Sequence, residues 1–207
     1  MSRNPRNRRF LGSVWPYITV GMLVIAAYAG TSALPLVQEG WVRAIMFAGV
    51  GACAVLAMAF LIAKKTKRAE SLILLILLAG VIMRIGYMVY TPMGLRGHDV
   101  SGLGDSGNLD YIYQIFSTGK LPQTNEYQFY HPPVNYILEA FAVKVFSVLR
   151  PEQSLDLTFE AAKIIPCFAS CALLIVCYSL LRELQVSPRA TALALLVLAF
   201  QPTLYIF

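Results

Sequence analysis

Long apolar runs are the feature of this chain that most limits its fold. A helix needs about 20 predominantly apolar residues to cross the hydrocarbon core of a bilayer. Runs that meet this requirement lie at about residues 12–31, 42–63, 71–91, 159–181 and 190–207. The sequence therefore predicts an all-α fold, a polytopic integral membrane protein with about five transmembrane helices.

Composition agrees with this class of fold. Hydrophobic residues make up 57% of the 207 residues and charged residues 14%, whereas soluble domains average about 45–50% and about 25%. These values exclude a disordered chain, a coiled coil and an ordinary cytosolic enzyme. The four cysteines all lie in apolar runs without metal-binding spacing, so we interpret them as small buried hydrophobic residues.

The distribution of charge predicts the orientation in the membrane. The net charge is +6, with basic clusters at 3–9 and 64–68, whereas most acids lie between residues 99 and 160. Cytoplasmic loops carry the excess of Lys and Arg. We therefore expect a multi-pass plasma-membrane protein with a cytoplasmic N-terminus and an extracytoplasmic segment 92–158. This pattern does not resemble a nucleic-acid-binding patch.

The predicted organisation has three parts. They are a basic cytoplasmic tail (1–11), two N-terminal transmembrane helices (12–70) and a module over 71–207. The module comprises a span (71–91), an outer loop (92–133), an interfacial helix (134–149) and two spans (159–181 and 190–207). A signal peptide is the alternative for the first run, but we favour an uncleaved span. Because the last run reaches Phe207 without a polar flank, we expect the module to be truncated there.

The segment 134–149 admits two interpretations. It is apolar but short for a span, and Glu139 and Lys144 interrupt it. A crossing here would place Arg182 and Arg189 outside, against the positive-inside rule. We therefore favour an interfacial helix with Glu139 and Lys144 facing water. The side chains expected to enter the lipid boundary are Tyr136, Phe141, Phe146 and Leu149.

The outer loop, 92–133, is long enough to suggest a function. The first part of this loop is rich in glycine, which predicts irregular structure. A short helix should follow, capped by Ser106 or Asn108 and ended by Gly119. Pro133 should begin the interfacial helix. His98 and His131 lie among acids in this loop and are compatible with a divalent metal, but no metal signature makes a cofactor certain.

A series of short motifs spans the module from residue 71 onwards. In order, they are Arg84 within a span, His98-Asp99, Asp110-Tyr111-Ile112-Tyr113, Gly119-Lys120-Leu121-Pro122 and Tyr127-Gln128-Phe129-Tyr130-His131-Pro132-Pro133. This order resembles the GT-C superfamily of polytopic membrane glycosyltransferases, in particular the bacterial family 39 and protein-mannosyltransferase-like members. The resemblance covers residues 71–207. Such members often carry a histidine near position 108, where this chain has Asn108.

The resemblance implies transfer of a sugar from a polyprenyl-phosphate carrier to a lipid, glycan or protein acceptor of the cell envelope. It implies Asp99 as general base on the acceptor hydroxyl, with Asp105 as the alternative. The residues expected to contact the donor or acceptor are Arg84, Arg96, His98, Tyr111, Tyr130, His131 and Lys163. No nucleic-acid partner is expected.

Other interpretations of the same residues stay open. Asp99 and Asp105 can be turn acids, Arg84 and Lys163 can extend their charges to the interface, and His131 can pack before the proline pair. At the level of the whole protein, the alternatives are a non-catalytic transporter or assembly component and an inactive fragment of a glycosyltransferase. A transporter should carry polar groups at the bilayer midplane, where this chain has few apart from Arg84.

Overall fold

The computed structural model describes residues 14–32, 39–62, 68–91, 107–123 and 131–201, and their regular structure is entirely helical. The elements are α1 (Trp15–Ser32), α2 (Glu39–Ile62), α3 (Arg68–Tyr90), α4 (Asn108–Thr118), α5 (Val134–Leu149), α6 (Leu155–Phe159), a 3-10 turn (Glu160–Lys163), α7 (Ile164–Glu183) and α8 (Pro188–Phe200). The all-α prediction is confirmed for these residues.

Two described helical segments, Ala69–Tyr90 and Leu155–Glu183, are long and apolar enough to cross a membrane. Shorter apolar stretches occur at Trp15–Gly30, Ala44–Ala57 and Pro188–Phe200. The second long segment runs from α6 through the 3-10 turn into α7, and so begins before the predicted span 159–181. Length and composition therefore favour membrane association.

Helix α3 is the centre of the bundle and packs against α1, α2, α7 and α8. Two glycines allow this close packing. A Cβ atom on Gly80 would lie 2.9 Å from Leu174 Cδ1 of α7 and 3.0 Å from Ala199 Cβ of α8, and one on Gly86 would lie 2.5 Å from Met46 Sδ of α2. Small residues let helix backbones approach closely, so these glycines set the separation between α3 and its neighbours.

The short helices gather at one end of the bundle, which we call the loop end. Arg150 Nη2, after α5, donates a 2.9 Å hydrogen bond to the carbonyl of Ala29 near the end of α1. Lys163 Nζ donates a 3.0 Å bond to the carbonyl of Thr91, directly after α3. Helix α5 packs against α4, α6, the 3-10 turn and α7. The ends of α1 and α3 therefore meet α5, α6 and the start of α7 at the loop end.

Helix α4 ends at the predicted residue but is not capped as predicted. Gly119 adopts a left-handed conformation, with φ 69°, and its N–H donates to the carbonyl of Ile115. Gly107 occupies the N-cap position without a side-chain bond. Asn108 instead accepts a 2.7 Å hydrogen bond from the Tyr136 hydroxyl through Oδ1, so a tertiary contact uses the side chain proposed as the cap.

Helix α5 has the predicted bounds but a different orientation. Glu139, predicted to face water, is 5% exposed, and Tyr136 and Phe146, predicted to enter lipid, are buried in the protein. Lys144 is exposed as predicted, as are Phe141 and Leu149. The predicted orientation was wrong because the apolar residues of α5 lie on two sides, and packing against α4 and the 3-10 turn selects the one that is buried.

Candidate functional site

A cluster of polar aromatic side chains joins α4 to α5 at the loop end. The rings of Tyr111 and Tyr136 stack with centroids 4.2 Å apart and planes inclined by 16°. The Tyr111 hydroxyl donates a 3.4 Å hydrogen bond to the carbonyl of His131, which precedes α5. Together with the bond from Tyr136 to Asn108, these contacts connect the first turn of α4 to the start of α5.

Tyr111 and His131 are the two members of this cluster that the sequence identified as substrate-contacting residues. Tyr111 is 3% exposed, and burial raises the pKa of its hydroxyl above the usual value. The phenol therefore stays neutral and acts as a hydrogen-bond donor within the fold. His131 is partly exposed, and its ring centroid lies 6.5 Å from that of Tyr136. His131 is thus the more accessible of the two to a bound molecule.

Lys163 is a buried cation at the loop end, with 4% exposure. Its Nζ forms an ion pair with Glu160 and donates to the carbonyl of Thr91. A cation is stabilised where the last carbonyls of a helix concentrate partial negative charge. Lys163 therefore fixes the end of α3 against the 3-10 turn, and any phosphate group that it bound would share or replace these contacts.

Arg84 is fully buried where α3, α7 and α8 meet. Its Nε donates to Ser170 Oγ of α7 at 2.8 Å. Its Nη1 donates to the carbonyls of Gly80 and Ala199 at 3.0 and 2.9 Å, and its Nη2 to that of Leu198 at 3.0 Å. The last two carbonyls belong to the final turn of α8, so the guanidinium caps that helix. This position is inside the bundle, six residues before the end of α3 at Tyr90.

Five predicted site residues lie outside the described residues. They are Arg96, His98, Asp99, Asp105 and Tyr130. The roles assigned to them from the sequence stay predictions. The described residues on either side of the segment that carries the two aspartates are Thr91, bonded by Lys163, and Gly107, which precedes Asn108.

Glu139 is a site candidate that sequence reasoning missed. It lies on the buried face of α5, and its Oε1 accepts a 2.7 Å hydrogen bond from Asn135 Nδ2. Burial raises the pKa of its carboxyl to about 7, while the bond from Asn135 opposes the rise. The spacing places Glu139 on one helical stripe with Tyr136, Val143 and Phe146, but only the tertiary packing shows that this stripe is the buried one.

Within the described ranges, no group of three or more His, Cys, Asp or Glu side chains is placed to bind a metal ion. His98, Asp99 and Asp105 are not among those residues, so the metal compatibility inferred from the loop stays a prediction.

No protein-family model, curated protein or solved structure matches this chain.

Proposed function

We propose that this chain is an integral membrane protein in which α1, α2, α3, α7 and α8 cross or enter the bilayer. Each of these helices exposes large apolar side chains. Contact of such side chains with water is unfavourable, whereas contact with lipid is favourable. Examples are Met22 on α1, Phe47 on α2, Leu74 on α3, Val176 on α7 and Leu193 on α8. The 18 and 24 residues of α1 and α2 correspond to lengths of roughly 27 and 36 Å.

The end of α8 also supports a location of these helices in the bilayer. This helix has 13 residues, about 20 Å at 1.5 Å per residue, so it is shorter than the hydrocarbon core. Carbonyls left without a donor inside a bilayer cost several kcal/mol each. Arg84 supplies donors to two of them, at Leu198 and Ala199, which allows α8 to end within the bundle.

We further propose that the protein is a GT-C-type glycosyltransferase that takes a sugar from a polyprenyl-phosphate carrier on the outer face of the membrane. One observation carries this proposal. The loop end gathers both attachment points of the acid-bearing segment 92–106, with Thr91 held by Lys163 and Asn108 held by Tyr136. An acid on such a segment can meet a carrier whose tail stays in lipid and whose sugar phosphate reaches water.

The proposed reaction is nucleophilic substitution at the anomeric carbon. The Asp99 carboxylate accepts the proton of the acceptor hydroxyl. At the same time the oxygen of that hydroxyl forms the new glycosidic bond to the anomeric carbon. The bond from the anomeric carbon to the phosphate oxygen breaks, and the polyprenyl phosphate leaves with the electron pair. General-base catalysis of this kind contributes about 10²–10⁴-fold. Asp105 is the alternative base. Among the predicted substrate-contacting residues that the structure describes, His131 is the most exposed and is the one that would contact the sugar phosphate.

Site-directed variants of the complete protein test this function. Membranes containing wild type, Asp99→Asn or Asp105→Asn are assayed with a panel of polyprenyl-phosphate sugars, following sugar transfer and release of the carrier. Asp156→Asn is the matched control because Asp156 is an exposed acid in the first turn of α6 at the same end. We expect a loss of at least about 10²-fold for Asp99→Asn at equal abundance, and little change for the control.

The outcomes distinguish the candidate roles. A large loss confined to Asp105→Asn would keep the reaction class and move the base. Equal activity of all variants would remove the loop acids from the chemistry. Absence of transfer from every donor by wild type would favour the transporter or assembly alternative.

Cysteine labelling tests the orientation. Glu152 at the loop end and Arg189 at the opposite end are both exposed. With a membrane-impermeant maleimide on intact cells, we expect labelling of Glu152→Cys, and labelling of Arg189→Cys only after permeabilisation. The reverse pattern would overturn the proposed topology.

A further inference from the structure

Glu139 is an acid on the apolar, inward face of α5. It follows Tyr136 by three residues and precedes Val143 by four, so all three lie on the stripe that packs against the loop end. Its relative exposure is 5%. An acid at this position costs folding free energy when it is ionised, because a charge loses its hydration on burial. The stripe would pack more favourably with an apolar residue.

The described surroundings of Glu139 offer no counter-charge. Within the described residues, Asn135 is its hydrogen-bond partner and no cation forms an ion pair with it. Lys163 of the 3-10 turn is held by Glu160 and by Thr91, and Lys144 lies on the exposed side of α5 with its Nζ 5.1 Å from the Phe116 ring centroid. The ionised form of Glu139 therefore has one neutral donor to stabilise it.

Apart from Lys144 and Lys163, the titratable groups near α5 on the elements that pack against it are neutral or acidic. They are Asp110, Tyr111 and Tyr113 of α4, Asp156 of α6, Glu160 of the 3-10 turn, Cys167 and Cys171 in the loop-end half of α7, and Tyr28 of α1, whose ring contacts Phe146. The basic residues that flank α5 are directed elsewhere. His131 lies before the helix with its ring 6.5 Å from that of Tyr136, and Arg150 follows the helix and donates to the carbonyl of Ala29. The ordinary pKa of the carboxyl, 4.5, rises to about 7 as a result of burial.

We propose that Glu139 is a proton-binding latch that seats α5 against the loop end. The seated helix contains the neutral carboxylic acid, bonded by Asn135 and enclosed by the apolar stripe. When α5 moves away, the carboxyl reaches water and releases its proton. Seating therefore takes up one proton, and the seated state loses stability as the pH rises.

The latch would transmit pH to the aromatic cluster. Tyr136 is one turn before Glu139, and it carries both the stack on Tyr111 and the bond to Asn108. Loosening α5 weakens these contacts and releases the start of α4, to which the acid-bearing segment is attached. This inference does not depend on the proposed sugar transfer, because its readout is the seating of a helix.

Hydrogen exchange of the purified full chain in lipid nanodiscs tests the latch. Exchange of peptides from 134–149 is followed by mass spectrometry between about pH 5 and about pH 8, after correction for intrinsic rates. One linked proton changes an equilibrium about tenfold per pH unit between the two pKa values. We therefore expect protection of α5 to fall at least about tenfold as the pH rises to about 7 and then to level off.

Two variants separate the latch from a general effect of pH. Glu139→Gln keeps the shape and the contact with Asn135 but cannot ionise, so we expect protection that does not vary with pH. Glu152→Gln, at an exposed acid soon after α5, should retain the wild-type pH dependence. Protection of wild type that is independent of pH, or an unchanged pH dependence in Glu139→Gln, would overturn the proposal.

Discussion

Replacing Arg84 by methionine removes the donors that hold three helices together. The wild-type guanidinium donates to Ser170 of α7, to Gly80 of its own helix and to the carbonyls of Leu198 and Ala199 at the end of α8. Methionine has a similar length and no donor, so the substitution approximately preserves packing volume while it removes the hydrogen bonds.

The size of the effect follows from what each partner loses. Helix α8 ends at Phe200, and the last carbonyls of a helix receive no bond from the helix itself. Each buried carbonyl left unsatisfied costs about 1–3 kcal/mol, so two cost about 2–6 kcal/mol. Removing a buried charge returns part of this, because its desolvation penalty also disappears. We therefore expect the free energy of unfolding to fall by about 2–4 kcal/mol.

Reversible unfolding in mixed detergent micelles measures this change, with an unaltered dependence on denaturant as the sign that the folded state is comparable. Ser170→Ala is the matched comparison, since it removes a single partner and leaves the Nε donor of the buried guanidinium unsatisfied, which should cost about 1–3 kcal/mol. Arg84→Lys should lie between wild type and Arg84→Met, because an ammonium cannot reproduce the planar fork of donors. If the free energy of unfolding fell by less than about 1 kcal/mol in Arg84→Met, the C-terminal end of α8 would not depend on this cap.

Three further predictions concern stability. The pKa of Glu139 rises from 4.5 to about 7 on folding. The free energy of unfolding should therefore fall by about 3 kcal/mol as the pH increases between these two values and then stay constant. Unfolding measured at several pH values should lose this trend in Glu139→Gln. Gly80→Ala should cost about 1–3 kcal/mol in the same assay, because the new methyl group would meet Leu174 and Ala199, whereas Gly51→Ala, with open space around it, should not destabilise the protein. Gln185→Gly should increase the free energy of unfolding by up to about 1 kcal/mol and so raise the melting temperature slightly, because Gln185 adopts φ 56° after α7 and glycine has no Cβ penalty there. An unchanged or lower melting temperature would contradict this.

Local features of the chain were predictable where one residue type determines the backbone. Gly119 ends α4 because glycine readily adopts the left-handed conformation that it has there. Pro133 directly precedes α5 because proline suits the start of a helix and lacks the N–H needed within one. The bounds of α5 agree with the prediction. Such signals act over a few residues and do not require knowledge of distant contacts.

The orientation of α5 and the partners of Arg84 were not predictable in this way. Helix α5 has apolar residues on both sides, so its periodicity does not say whether Glu139 or Phe141 is buried. Arg84 lies more than 110 positions from the carbonyls that it caps, and the local sequence gives no sign of this contact. The roles of Asp99, Asp105, Arg96, His98 and Tyr130 stay predictions from the resemblance.

The amino-acid sequence alone determined the helical class, the extents of most helices and the helix stops, since each depends on hydropathy and backbone preference over short stretches. The tertiary structure decided which polar groups are buried and with what partner. It directed Arg84 to the end of α8, Lys163 to the end of α3 and Glu139 into an apolar contact. The reason is physical: the free energy of a buried charge depends on groups that long chain separations bring together.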